Sequence, residues 1–137
     1  MDRASARALA KSALDATTSY TAVYDHEPTA LDVATPVATI HSKSLGLEEF
    51  AHGEIKLVGM LWISLYVLRD DQPGAAVEAQ IDTLAREALL ALREVFAVGD
   101  VDATIKPSDS GYVELDSKAY RLERFTIRVE EELEDPA

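Results

Sequence analysis

The sequence predicts an α+β fold: a mainly antiparallel sheet with two helices packed on one face, in the order α-β-β-β-α-β-β-β. Three observations carry this. Apolar side chains recur at helical spacing near the N-terminus and again from residue 73 to about 98. They alternate with a period of two across Ile55–Arg69 and near the C-terminus, and Pro, Gly and Asp punctuate the intervals. Helical and strand runs that do not repeat as βαβ units favour helices gathered on one side of an antiparallel sheet. With 137 residues and 47% hydrophobic content, the chain reads as a single domain over 1–137. A chain of this length buries roughly two-thirds of its unfolded surface without disulfide or metal support.

The first helix follows from Ala6, Leu9, Ala10, Ala13 and Leu14, spaced i, i+3, i+4, i+7, i+8 on one face. Asp2 stands where it can accept orphan N–H groups, and Thr17, Thr18 and Ser19 end the run. The mostly alanine stripe suits close packing on a sheet. Two short extended pieces follow, Tyr20–Tyr24 and Val37–His41, flanked by Pro28 and Pro36, which forbid helix continuation. Ser42–Gly53 shows no clean period and reads as a long loop of the kind that usually has a task.

Ile55–Arg69 is the most informative segment. Its odd positions, Ile55, Leu57, Gly59, Leu61, Ile63, Leu65 and Val67, make one aliphatic face. The even positions carry Val58, Met60, Trp62, Tyr66 and Leu68, where a half-buried strand would show polar residues. Both faces therefore want cover. Fifteen residues at about 3.3 Å each reach roughly 50 Å, more than the diameter of about 37 Å expected for a body of this length. Either Gly59 bends the strand or its first part projects as an arm, and both are ways of building a contact between subunits.

Asp70-Asp71-Gln72-Pro73 closes the strand and opens a second helix to about Val98, buried through Val77, Ile81, Leu84, Ala85, Ala88, Leu89, Leu92, Val95 and Phe96 and capped by Gly99. Glu78, Asp82, Arg86 and Arg93 face water. Val101–Lys106 reads as a strand, Pro107–Gly111 as a turn, and Tyr112–Leu115 as another strand. In the last segment Tyr120 and Leu122 alternate in one phase and Phe125, Ile127 and Val129 in the other, which predicts a β-bulge near Glu123 and Arg124. The acidic stretch at 130–137 reads as a solvated tail.

Composition excludes several chemistries. With no cysteine, disulfide scaffolds, zinc ribbons, iron–sulfur sites and thiol nucleophiles fall away. A net charge of −12 argues against a nucleic-acid clamp. Residues 1–68 carry 5 basic and 8 acidic side chains, and residues 69–137 carry 8 and 17, so the second half holds most of the field. The N-terminus lacks the apolar core of a signal peptide, and Leu57–Leu68, twelve residues, is too short to span a bilayer as a helix. The expected location is the cytoplasm of the cell that makes it, with no membrane partner.

No catalytic residue, cofactor or metal ligand is assigned. His26, His41 and His52 have no zinc-ligand spacing, and Pro28 blocks the helix a metalloprotease motif needs. Asp70 and Asp71 read as helix capping. Asp100 and Asp102 lack the glycine and terminal Glu of a calcium loop. No serine sits in a Gly-x-Ser-x-Gly turn, and the glycines at 46, 53, 59, 74, 99 and 111 form no phosphate-binding loop. The candidate functional residues are Val58, Met60, Trp62, Tyr66 and Leu68. They read as a subunit interface, because Met and aromatics are enriched at interface centres and the helices cover the opposite face. Burial under another element and the wall of a ligand pocket are the alternatives.

The succession of the alanine-rich helix Ala4–Ala16, Tyr24, the Pro-led strand Pro36–Ile40, the long strand Gly53–Arg69, the helix Ala75–Val98, Gly111-Tyr112 and Tyr120–Val129 resembles the tail terminator proteins of long-tailed bacteriophages and phage-like particles. The resemblance covers nearly the whole chain. It implies a non-enzymatic virion subunit at the head–tail junction. Such a subunit forms a hexameric ring, stops tail-tube polymerisation at the head-proximal end, and has the tail tube protein and the head connector as partners. DNA would pass the lumen without specific binding, which an acidic ring would favour. A head–tail joining or head-closure protein is the nearest alternative. A small ligand-binding domain using the Trp62 face, or a cytosolic dimerisation module, would instead form a monomer or closed dimer.

Overall fold

The first helical periodicity is realised as α1 (Arg3–Ala16) in the computed structural model, which describes residues 1–31, 33–49, 53–70, 72–98 and 103–133. Asp2 caps it, its carboxylate accepting the Ser5 backbone N–H at 2.6 Å. At the other end the Thr17 hydroxyl donates to the Leu14 carbonyl at 2.8 Å, and Thr18 turns the chain away with φ of 56°. Ala6, Ala10, Ala13 and Leu14 are the buried stripe.

Five strands form one sheet: β1 (Ala22–Tyr24), β2 (Val37–Glu49), β3 (Ile55–Leu68), β4 (Ala103–Leu115) and β5 (Lys118–Leu133), with α2 (Gly74–Val98) between β3 and β4 in the chain. The spatial order is β1-β2-β3-β5-β4. All pairs are antiparallel except β1 with β2. Both helices lie on one face, so the class is α+β as the sequence predicts. Gly99, Asp71, His52, Asp100 and Asp102, with the roles weighed for them, lie outside the described residues.

Four expectations are corrected, each for an identifiable reason. Of the expected loop Ser42–Gly53, Ser42–Glu49 is strand, because β2 continues to Glu49 paired with β3, and residues 50–52 lie outside the described residues. A register shift between Ser42 and Ser44 inserts Lys43 and breaks the alternation, which is why the segment reads without a period. The turn expected at Pro107–Gly111 is a second irregularity, between Pro107 and Ser110, inside a continuous β4, so the described order is α-β-β-β-α-β-β, with two strands after the second helix where three are expected. Proline is tolerated there because β4 is an edge strand.

The bulge expected near Glu123 and Arg124 is not in β5, whose register with β3 runs unbroken from Leu68↔Tyr120 to Ile55↔Leu133. The shift lies opposite, on β4. The phase of β5 changes because its buried face changes: Tyr120 and Leu122 serve a core on the sheet's back face, Phe125, Ile127 and Val129 the core under the helices. Finally, Glu130–Leu133, expected in a solvated tail, is strand paired with Ile55–Val58.

The main core packs Ile40, Leu61, Ile63, Leu65, Val67, Phe125 and Ile127 beneath Ala10, Leu14, Val77, Ile81, Leu92 and Phe96. Each of Leu61, Ile63, Leu65 and Val67 is fully buried, worth about 1.5–3 kcal/mol apiece by area removed from water. Arg121 pins α2 to this face: its guanidinium donates to the Glu78 carboxylate at 2.8 Å and to Ser110 Oγ at 2.9 Å. On the back, Val37, Tyr66, Tyr120 and Leu122 form a smaller core closed by Leu31 from the β1–β2 connection.

Candidate assembly surfaces

Two stretches of sheet surface remain after the cores are closed. The first is on the back face. Residues directly paired across strands share a face, so His41, Trp62 and Thr126 form one rung, and Ser44, Met60 and Arg128 the next. The Arg124 guanidinium lies 4.3 Å and the Lys43 ammonium 4.9 Å from the Trp62 ring centroid. Such cation–π contacts are worth about 0.5–2 kcal/mol. The His41 ring meets Trp62 edge-on with centroids 5.6 Å apart, and Arg124 Nε donates to Ser64 Oγ at 2.9 Å. Burial, with Arg124 nearby, holds the His41 imidazole below its ordinary pKa, against the opposing pull of Glu27.

Of the five candidate interface residues, Tyr66 is only 4% exposed and belongs to the chain's own back-face core, against which Leu68 packs. These two therefore offer a partner little, because Leu31 already covers their end of the sheet. Trp62 is half-buried beneath its cations. Val58 and Met60 are half-buried among charges: Lys56 pairs with Glu130 at 3.5 Å, Arg128 reaches Glu48 at 3.2 Å and also contacts Glu130. Glu130 is held below the usual carboxylate range by Arg128 and then Lys56. What the sequence presents as one apolar face is thus divided into a core, a cation-topped aromatic and a salt-laced end.

The second stretch lies on the helix face, beyond the reach of the helices. Gly59 marks the boundary, since a Cβ there would meet Arg3 Cβ at 3.1 Å and Val129 Cγ2 at 3.2 Å. Only glycine lets α1 start this close to the sheet. Past Gly59 the three strands continue as an arm, with Leu45 opposite Gly59, Leu47 opposite Leu57, and Ile55 opposite Leu133. Leu45 is 55% exposed, Leu47 56% and Leu133 37%. Ile55 and Leu57 between them are half-buried. Contiguous exposed leucines on a sheet mark an interaction surface. Leu45 and Leu47 are absent from the candidates chosen by pattern, because the bulge at Lys43 hides the Leu-Gly-Leu-Glu alternation that follows it.

Among the described residues no group of three or more His, Asp or Glu stands close enough to hold a metal ion. His26 and His41 each lie beside one carboxylate, Asp25 at 3.3 Å and Glu27 at 3.7 Å. An open hollow of about 350 Å³ along Tyr24 and His26–Ala30 and another of about 260 Å³ between Ala13, Thr17 and Val95 of the two helices are shallow and gather no reactive set. No described helix is long and apolar enough to cross a membrane.

No family model matches the sequence, and no curated protein matches it. Among solved structures, a chain described as "Virion of native gene transfer agent (GTA) particle" is similar at 18% identity, over 91% of this chain and 94% of that one, with a TM-score of 0.44.

Proposed function

We propose that this chain is a structural subunit of a phage-like particle that assembles into a ring, most consistent with six copies, and caps the head-proximal end of the tail tube. In this role it ends tube polymerisation and joins the tube to the head connector. The observation that carries the reading is the arm: three paired strands extend past the helices and present Leu45, Leu47 and Leu133, which remain exposed among the described residues. A protein that stayed alone in water would expose such a surface at a cost in solubility, whereas a ring buries it at every interface.

The sequence resemblance to tail terminators supports the same role. So does the net charge of −12, which suits a ring through which DNA slides without sticking. The function is assembly and not catalysis, with the tube protein, the connector and further copies of this chain as partners. The salt-laced back face around Val58 and Met60 is available for the tube or the connector.

The test is polymerisation of the particle's tail tube subunits with and without this protein, followed by electron microscopy. Capped tubes of limited length with density at one end are expected. Tubes that grow unchanged contradict the terminator role, and binding to the connector alone would move the chain to a head-closure position.

A further inference from the structure

The arm's leucines are bordered by acid. Glu49 pairs with Ile55 and Glu131 with Leu57, so both carboxylates lie on the leucine-bearing face. Neither forms an ion pair within the chain among the described residues. The exposed side of α2 carries the complementary pattern. Arg86, Leu89, Leu90 and Arg93 are spaced i, i+3, i+4, i+7, one stripe of a helix. Leu89, expected in the buried stripe, is instead 38% exposed, and Leu90 is 56% exposed; both arginines are exposed, and neither has an ion-pair partner among the described residues. Glu87, which accepts from Ser19 Oγ at 2.6 Å, and Glu94 flank Leu90 on its other side, so Arg86 and Arg93 form the cationic edge of the stripe, the edge that suits leucines bordered by two carboxylates.

We infer that the arm of one copy docks its Leu45–Leu47 face on the Arg86–Arg93 stripe of the next copy's α2. The contact rests on the ring reading above and supplies its geometry. Arm and stripe are different surfaces, so the contact is head-to-tail and passes from copy to copy, and in the ring reading above its rotation closes the circuit. The leucines supply the dry centre, and the Arg–Glu pairs at its rim set register and exclude arm-to-arm pairing through like charge.

The chain has no cysteine, so engineered thiols report the contact without background. Purified Leu47→Cys and Leu90→Cys proteins, mixed and oxidised, are expected to yield a disulfide-linked pair that neither forms alone. Cross-linking of Leu47→Cys with itself would overturn the inference by showing an arm-to-arm dimer. A charge test is independent. Arg86→Glu/Arg93→Glu and Glu49→Arg/Glu131→Arg each lose assembly alone while keeping the wild-type circular dichroism spectrum. Mixed one to one they regain it, because reversed arm meets reversed helix and wild-type arm meets wild-type helix around an alternating ring. If the wild type forms rings but neither the cross-link nor the rescue appears, this docking falls and the ring stands. If the wild type is monomeric at every concentration and no cross-link forms, both fall.

Discussion

The two ends of β3 share one alternation and part company in what covers them. From Leu61 to Val67 the aliphatic face is sealed by both helices, with every odd residue fully buried. From Ile55 to Leu57 the same face continues with the same residue types and meets no helix. Geometry explains the split. The 14 residues of β3 extend about 46 Å at 3.3 Å each, whereas the 14 residues of α1 rise about 21 Å and the 25 of α2 about 38 Å at 1.5 Å each. Alternation therefore says that a face is to be buried, and length decides whether the chain itself can bury it.

If that division is correct, truncation at the two ends of the strand has opposite consequences. The largest effect is expected inside the body: Ile63→Ala removes a fully buried side chain and should cost about 2–5 kcal/mol in urea unfolding. A loss under 1 kcal/mol would mean that the helices do not seal this face. Next comes the boundary. Gly59→Val forces a branched side chain against Arg3 and Val129 and should cost roughly 1–3 kcal/mol as the start of α1 is displaced. An unchanged thermal midpoint would contradict the close approach.

Arg121→Met, which removes the ion pair with Glu78 and the hydrogen bond to Ser110 Oγ, should lower the thermal midpoint by less than the two core changes, because Glu78 stays hydrated. Arg121 holds the Glu78 carboxyl below its ordinary value. The folded pKa is thus lower than the unfolded one, and the stabilisation is present above the unfolded pKa and lost as pH falls through the folded one. The variant should accordingly show a flatter acid limb in stability against pH, and an identical limb would remove Glu78 from the account.

A smaller pH effect is expected on the back face. The folded pKa of His41 lies below the ordinary imidazole value of 6.5, chiefly through burial. The neutral ring is therefore favoured by the fold, and stability falls as pH drops below about 6.5. His41→Gln should weaken that slope. NMR titration of the ring to a pKa above 6.5 would reverse the argument.

Much of this was legible in the sequence. Both helices, the fold class and the two-faced character of Ile55–Arg69 follow from spacing alone, and the overlong strand left a bend at Gly59 or a projecting arm as the two alternatives. Three features were hidden for physical reasons. The bulge at Lys43 shifted the phase of β2 and disguised Leu45 and Leu47 as loop. The change of buried face along β5 looked like a bulge because a single strand serves two cores. Tyr66 resembled an interface residue because the cover supplied by Leu31 comes from the irregular β1–β2 connection, which carries no periodic signal. The cations over Trp62 were equally invisible, since Arg124 and Lys43 meet the ring only through strand pairing.

The smallest effect on stability should accompany the largest effect on assembly. Leu45→Ser/Leu47→Ser removes exposed side chains and should change monomer stability by no more than about 0.5 kcal/mol per site. Native mass spectrometry of this variant beside the wild type, over a concentration and salt series and with tail tube subunits present, tests the central claim most directly. The account predicts a closed ring for the wild type and a folded monomer for the variant. A wild type that stays monomeric under all these conditions, or a variant that assembles as well as the wild type, would contradict it.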